Sequence, residues 1–294
     1  MEPLPGSSPE VRHPAAEQLV AVLGRGVVPA DTPILRADDL GVLRGDGVFE
    51  TMHVRDGKPW LFDEHLARMV GSARRMDLPL PPRDAMLKLA AQTCAAWEPG
   101  AEAALRLVCT RGPESGGPVT CYAIISPVAP VTLRARREGI RVVTATLGFA
   151  ADQRSRAPWL LGGVKSLSYA VNMASQRWAA SQGREDVLWL SSDGYALEAP
   201  TSTLVWLSGT ELCTVPTTTG VLPGTTAGYL LDRADELGWR AGTRMVRPEE
   251  LVAAGGVWLT SSVRGLVPVR ELDGTELAWS RHTDAVRELL GFPV

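Results

Sequence analysis

Lys165 and Glu198 are the residues around which the chemistry of this sequence can be organised. Of its thirty basic residues only three are lysines, Lys58, Lys88 and Lys165. Against that arginine bias, the lysine in Gly162-Gly163-Val164-Lys165-Ser166-Leu167 reads as a requirement for an amine. An amine can lose its proton and become a nucleophile, whereas a guanidinium cannot. At a pKa near ~10.4, about one lysine in ~2,500 is neutral at pH 7; lowering the pKa by ~3 units makes roughly half the population neutral. Leu167, Val171, Ala174 and Trp178 recur at helical spacing, which predicts a helix from about Leu167 to Ser181 that stops before Gly183. Lys165 would then sit at a helix N-terminus, where the macrodipole disfavours a cation. On position alone, a solvated loop lysine is the competing reading.

Glu198 closes the run from Ser192 to Thr203. Val187 to Leu190 reads as a strand, Asp193-Gly194 as a hairpin turn, and Tyr195 onward as the return strand. Alone, a carboxylate there is most simply a solvated edge charge. Together with the lysine it suggests more. A lysine that carries the cofactor and a carboxylate that faces a pyridinium nitrogen are what pyridoxal phosphate requires of a protein.

The run Lys165-Ser166-Leu167-Ser168-Tyr169, with Asn172 and Ala174 and then Asp193-Gly194 and Glu198, resembles the class IV aminotransferase family, the fold type IV pyridoxal phosphate enzymes. Branched-chain and D-amino acid aminotransferases and 4-amino-4-deoxychorismate lyase belong to it. The resemblance extends from about Pro33 to Gly274, with several separated motifs in order. It implies an α/β chain of the α+β type, with two α/β domains and the cofactor at their interface. It also implies a homodimer whose partner chain helps to wall the pocket.

The remaining site residues follow from the resemblance. Leu66, Met69, Val70, Ala73 and Met76 form a core-facing helical stripe after Asp63, a candidate N-cap, and Arg68 lies off it. Such an arginine is otherwise a solvated helix charge. Glu64-His65-Leu66-Ala67-Arg68-Met69 is similar to the family motif whose arginine grips the cofactor phosphate, a task suited to charge-assisted bonds. Gly220 to Thr226 precedes a helix marked by Ala227, Leu230, Leu231, Ala234 and Leu237 and ending near Gly238. Thr225 and Thr226 would present backbone N–H groups there, either as an anion site or as simple caps. The segment resembles the family's phosphate loop, with Leu222 packed on the ring; Ala227 stands where the family often has arginine. By the same resemblance, Ser262, at the end of the strand Val257 to Thr260, completes the phosphate cup. Lys165 would then hold and release protons, and Glu198 would keep the pyridine nitrogen protonated.

The rest of the chain sets bounds. Residues 1–16 read as a disordered arm without a secretory signal, 17–127 as a small N-terminal α/β domain, 128–131 as a linker and 132–294 as a large C-terminal α/β domain. A helix is expected over about Arg83 to Trp97. Arg44 to Thr51 with the Asp56-Gly57 turn gives a hairpin that matches the family's Gly-Asp-Gly hairpin. A net charge of −3 offers nothing to nucleic acid or an anionic membrane, and no apolar run is long enough to span a bilayer. Neither the four histidines nor Cys94, Cys109, Cys121 and Cys213 have metal-ligand spacing. The cysteines read as reduced thiols of a cytoplasmic protein, although Cys109 and Cys121 fall on neighbouring expected strands, which leaves a bridge open. Lys165-Ser166 does not end a P-loop, because Val164 precedes the lysine and the earlier glycines are missing, and there is no GxSxG elbow.

Three functions fit. The first is aminodeoxychorismate lyase on the folate branch, giving 4-aminobenzoate and pyruvate. The overall pattern, especially Arg44 to Thr51 with Lys165 to Ala174, looks most like that group. The second is an amino acid aminotransferase of the D-amino acid or branched-chain type. In the D-amino acid branch an arginine and a histidine in the loop corresponding to Gly112–Thr120 hold the substrate carboxylate, and this loop has neither, although Arg106 and Arg111 are nearby. The third is a pyridoxal phosphate-holding protein without turnover, against which the intact Lys165 and Glu198 argue.

Overall fold

The computed structural model of the protein describes residues 18–97 and 102–292. The expected N-terminal arm lies outside them.

The first half of the chain builds a six-stranded antiparallel sheet. Its strands are β1 (Leu19–Val22), β2 (Gly26–Val28), β3 (Gly47–Arg55), β4 (Lys58–Pro59), β5 (Ala103–Thr110) and β6 (Thr120–Pro127), in the order β2-β1-β6-β5-β3-β4. Asp56 and Gly57 both take positive φ, 49° and 70°, the backbone that a tight hairpin between β3 and β4 requires. Successive side chains of a strand point to opposite faces, so this sheet has two different surfaces. Val48, Met52, Leu105, Leu107, Ala123 and Ile125 pack into a core with the helices α2 (Phe62–Arg75) and α3 (Arg83–Ala95). Alternate residues, among them Phe49, Thr51, Arg106, Val108 and Tyr122, turn to the other face and line a cavity.

A short α1 (Leu40–Arg44), capped by the Asp39 side chain, precedes β3. After β6 the chain passes directly into α4 (Pro130–Glu138), so the expected linker ends in the first turn of a helix. The second half forms an eight-stranded mixed sheet from β7 (Ile140–Thr146), β8 (Asp186–Leu190), β9 (Thr203–Ser208), β10 (Glu211–Thr214), β11 (Arg240–Thr243), β12 (Gly256–Ser261), β13 (Gly265–Leu272) and β14 (Thr275–Glu276). Leu204, Trp206, Val257 and Leu259 bury one face, and Val205, Leu207 and Trp258 the other. Its helices are α5 (Gln153–Arg156), α6 (Ala170–Ser181), α7 (Thr225–Leu231), α8 (Pro248–Val252) and α9 (Thr283–Leu290). Among the described residues no helix is long and apolar enough to cross a membrane, and no group of three or more His, Cys, Asp or Glu could hold a metal.

Several expectations are corrected. Helix α2 starts at Phe62 after Leu61, whose φ is 55°, with no side-chain cap; Asp63 instead pairs with Arg83 at 2.6 Å. Val70 points outward, while His65 and Ser72 take buried places on that helix. Helix α6 starts at Ala170, and Val171 and Trp178 of its apolar stripe are exposed (61% and 43%). The segment from Tyr195 pairs with β8 through Leu197 N–H to Trp189 O and Trp189 N–H to Glu198 O, without becoming a regular strand. The helix expected to run to Leu237 ends at Leu231 and is followed by a separate 3-10 turn, Ala234–Leu237.

Cys109 and Cys121 face each other across β5 and β6, both buried and both free thiols, with Cys121 Sγ 3.4 Å from Met86 Sδ. Burial also pushes the Cys94 thiol up to about 11. Native protein should therefore resist a thiol reagent for as long as it stays folded. Unfolding it without reductant should release all four thiols, and a count of two would reveal a Cys109–Cys121 bridge.

Candidate active site

A cavity of about 790 Å³ lies between the two sheets, and all seven site residues named above line it. Lys165 reaches it from a segment fixed to the first sheet. The short β4 covers only Val54 and Arg55 of β3, which leaves the start of that strand open. Ser166 pairs there with Val48. Phe49 N–H donates to Lys165 O (3.2 Å), Leu167 N–H donates to Gly47 O (2.9 Å), and Lys165 N–H donates to Ser72 Oγ on α2 (3.1 Å). A Cβ on Gly47 would come within 2.6 Å of Leu167 Cδ1 and 2.7 Å of Cys109 O, so a side chain at that position would push the lysine segment away.

The helix dipole does not act on Lys165, because α6 begins five residues later. Burial does: it is the largest cause of an ammonium pKa lowered to about 8, and Arg68 and Arg106 reinforce it against Glu50 and Glu198. The amine lies 4.5 Å from the Phe49 ring centroid and 3.2 Å from Tyr169 Oη. Burial holds that phenol protonated, up to about 12. Tyr169 follows Lys165 by four residues and closes the run that carries the resemblance, but the sequence alone gives it no role.

Glu198 is also buried, and desolvation raises its carboxyl to about 7 against the pull of the Leu222 N–H, Arg154 and Lys165. Its Oε2 accepts from Leu222 N–H at 3.0 Å, and Oε1 lies 3.9 Å from Arg154 Nη1. A carboxyl poised in this way can share a proton with a ring nitrogen. Leu222, which lines the cavity beside it, thus holds the carboxylate through its backbone as well as offering an apolar wall.

Arg68, Thr225 and Ser262 converge at one end of the cavity. Thr225 Oγ1 and Ser262 Oγ are 3.2 Å apart, and Thr226 Oγ1 is buried with no hydrogen-bond partner among the described residues. Helix α7 starts at Thr225 with no side-chain cap, so its first N–H groups are unclaimed by a side chain. An orphaned buried hydroxyl, two further hydroxyls and uncapped amides suit a phosphate. The sequence did not point out Glu50 and His65, which organise this end. Glu50 accepts two hydrogen bonds from Arg68 (2.8 and 2.6 Å) and faces His65 Nδ1 at 2.6 Å. Burial alone would raise its carboxyl, but Arg68 and then His65 outweigh burial and hold it at about 2. His65 Nε2 lies 3.1 Å from Thr225 Oγ1 and 3.0 Å from Ser262 Oγ. Arg68 Nη1 donates to Pro223 O at 2.9 Å, so the arginine is engaged with protein on two sides and meets the cavity at its edge. Arg111 is not a site residue: it pairs with Asp46 and donates to the carbonyls of Met76 and Asp77. Arg106 does line the cavity, and its one side-chain hydrogen bond among the described residues is a long one to Thr51 Oγ1, 3.4 Å.

The chain and its fold are similar to known proteins. The bifunctional aminodeoxychorismate lyase / D-amino acid transaminase of Mycobacterium tuberculosis is 39% identical over 281 residues, 92% of this chain and 97% of that protein. A structure described as a hypothetical aminotransferase from Mycobacterium tuberculosis, in its α-ketoglutarate and PMP bound form, has a TM-score of 0.91 at 40% identity, covering 93% of this chain and 97% of that one. Its PLP-bound form has a TM-score of 0.90 at 40% identity, covering 94% and 98%. The two sheets with their helices are the fold type IV architecture. The family model for amino-transferase class IV matches residues 47–272, from the first residue of β3 to the last of β13, and the chain belongs to that family.

Proposed function

We propose that this protein is a pyridoxal phosphate-dependent 4-amino-4-deoxychorismate lyase that releases 4-aminobenzoate and pyruvate. The observation that carries the reading is a single buried amine, Lys165, with a pKa lowered to about 8, in a cavity that also holds a proton-sharing carboxyl, Glu198. Pyridoxal phosphate is the cofactor; when bound, it captures the substrate amine and accepts the electron pair left by proton loss. Arg68, Thr225, Thr226 and Ser262 would hold its phosphate, Leu222 would pack on its ring and Glu198 would face its nitrogen. Lys165 is then the base that takes the proton beside the amine, and about one amine in ten is already neutral at pH 7 in the free protein. In aminodeoxychorismate that proton loss expels the ether group as enolpyruvate while the ring becomes aromatic, and one proton added to its methylene carbon, balancing the one that Lys165 removed, gives pyruvate. No second substrate and no second base are needed. Arg106 gives the cavity a cation for a substrate carboxylate.

The aminotransferase is the second reading. It is supported by the relative that combines both activities and by the neighbour bound to α-ketoglutarate. Assembly as a homodimer in the cytoplasm completes the proposal; exposed apolar side chains such as Trp159 and Trp178, at 77% and 43% exposure, support it as ones a second copy would cover.

Three outcomes are expected. Borohydride reduction of the yellow protein should fix the cofactor on Lys165; label on Lys58 or Lys88 would refute the site. Aminodeoxychorismate should give 4-aminobenzoate and pyruvate in equal amounts with no keto acid added, and Lys165→Ala should abolish this. If that compound is untouched while D-alanine or a branched-chain amino acid reacts with 2-oxoglutarate, the transaminase reading replaces the lyase. Arg68→Ala should lower thermal stability together with cofactor retention, because removing one partner of a buried pair costs about 3–5 kcal/mol and Glu50 would be left with His65 alone. Weakened retention at an unchanged Tm would show that Arg68 serves the phosphate only.

A further inference from the structure

Glu50, His65, Thr225 and Ser262 form a continuous hydrogen-bonded chain that ends at the cavity. Glu50 is ionised, so its oxygens only accept, and the hydrogen between Glu50 and His65 must sit on Nδ1 of the imidazole. That fixes the opposite nitrogen. In a neutral ring Nε2 has one lone pair and no hydrogen, yet two hydroxyls stand within 3.0 and 3.1 Å of it. A hydroxyl that donates to Nε2 has turned its only hydrogen away from the cup. An incoming phosphate dianion needs that hydrogen.

We propose that His65 is a proton-accepting positioning residue of the cup: it takes up a proton when a phosphate monoester dianion enters, and so frees for the ligand the hydroxyl hydrogen that Thr225 or Ser262 spends on Nε2. The inference rests on the reading above that this cup takes the cofactor phosphate. In the protonated ring both nitrogens donate, Nδ1–H to Glu50 and Nε2–H to the hydroxyl oxygens, and no hydroxyl hydrogen is spent on the imidazole. The charged groups that face His65 set the direction of the change. Burial is the largest cause that holds its pKa below the ordinary value; Glu50 on β3 opposes this, while Arg68 on the same helix and Lys165 on the segment joined to β3 reinforce it. The start of α7 and the end of β12 bring only hydroxyls. The ring is therefore neutral in the free protein near neutral pH, and a dianion arriving beside the two hydroxyls reverses the balance. Phosphate binding should strengthen as pH falls toward neutrality, until protonation of the ester itself takes over near ~6.

The test uses the full-length protein freed of cofactor and titrated calorimetrically with pyridoxine 5′-phosphate, which has the phosphate ester but no aldehyde to react with Lys165. Titrations in two buffers of different ionisation heat at about pH 7.5, where the ester is a dianion, give the protons taken up. Wild type should take up close to one proton more than His65→Gln, whose amide N–H donates from a similar place without titrating. His65→Gln should keep most of the affinity, while His65→Leu should lose roughly tenfold or more. Nitrogen resonances of histidine-labelled wild type supply a readout that needs no variant to fold. Nε2 of His65 should pass from unprotonated to protonated on adding pyridoxine 5′-phosphate and stay unchanged with pyridoxine. Equal proton uptake by wild type and His65→Gln, or a bare Nε2 in the complex, would overturn the proposal. Pyridoxine 5′-phosphate that binds no more tightly than pyridoxine would instead remove the phosphate reading of the cup, and this inference with it.

Discussion

A carboxylate that is 1% exposed stays ionised only if its neighbours replace the water it has lost, and Glu50 is in that position. It lies on the helix-facing side of β3, between Val48 and Met52, where an apolar residue would be the simpler choice. Arg68 and His65, one helical turn apart on α2, supply the missing interactions. Both then reach onward to the second half of the chain, Arg68 to Pro223 and His65 to Thr225 and Ser262. One buried charge thus dictates how α2 sits on its sheet and where the start of α7 sits against α2. The expense of burying Glu50 buys an alignment that apolar packing, being non-directional, does not specify.

A second polar tie reaches the same turn from the other side. Glu102 accepts from Arg136 at 2.7 Å and lies 2.9 Å from His53 Nε2, while Arg136 also donates to the carbonyls of Val263 and Arg264. Arg55 and Arg136 both stack on Phe292. Arg264 in turn pairs with the buried Asp186. The hydroxyl of Ser262 is therefore placed by a turn whose next two carbonyls are already held, and the cup is built on backbone that has little freedom to yield. Such support lets a small group of hydroxyls act as a defined site.

Periodicity and turn chemistry carried most of the secondary structure. The Asp56-Gly57 pair predicted the β3–β4 turn, and the helix expected over about Arg83 to Trp97 is found at Arg83–Ala95. The errors have physical causes. The stripe Leu167, Val171, Ala174 and Trp178 has core-like spacing, but apolar spacing does not say which surface an element will meet, and on α6 much of it faces outward. Asp63 looked like a cap because its residue type suits one, yet Leu61 in left-handed backbone starts the helix without any side-chain cap. Lys165 and Glu198 were legible through residue type and motif. Glu50 and His65 were not, because a charge buried by contacts 15 and 18 residues away leaves no local pattern. Burial of Lys165, rather than the expected dipole, lowers its pKa, and burial depends on both sheets closing over it.

The pairing of Ser166 with Val48 separates the position of Lys165 in the chain from its mechanical allegiance. By chain order the lysine stands among the residues of the second half, but its amide and carbonyl are both held by the first, by Ser72 and by Phe49. Its backbone rides with β3 and α2 as a passenger. If one sheet rocks against the other, Lys165 and Arg68 keep their spacing, while Glu198 moves relative to them. Proton delivery by the amine then depends on the torsions of its own flexible stem, and the width of the gap above it becomes a separate variable. The backbone of the base is thus set by the first sheet alone, while its pKa, which depends on burial between both sheets, follows the width of that gap.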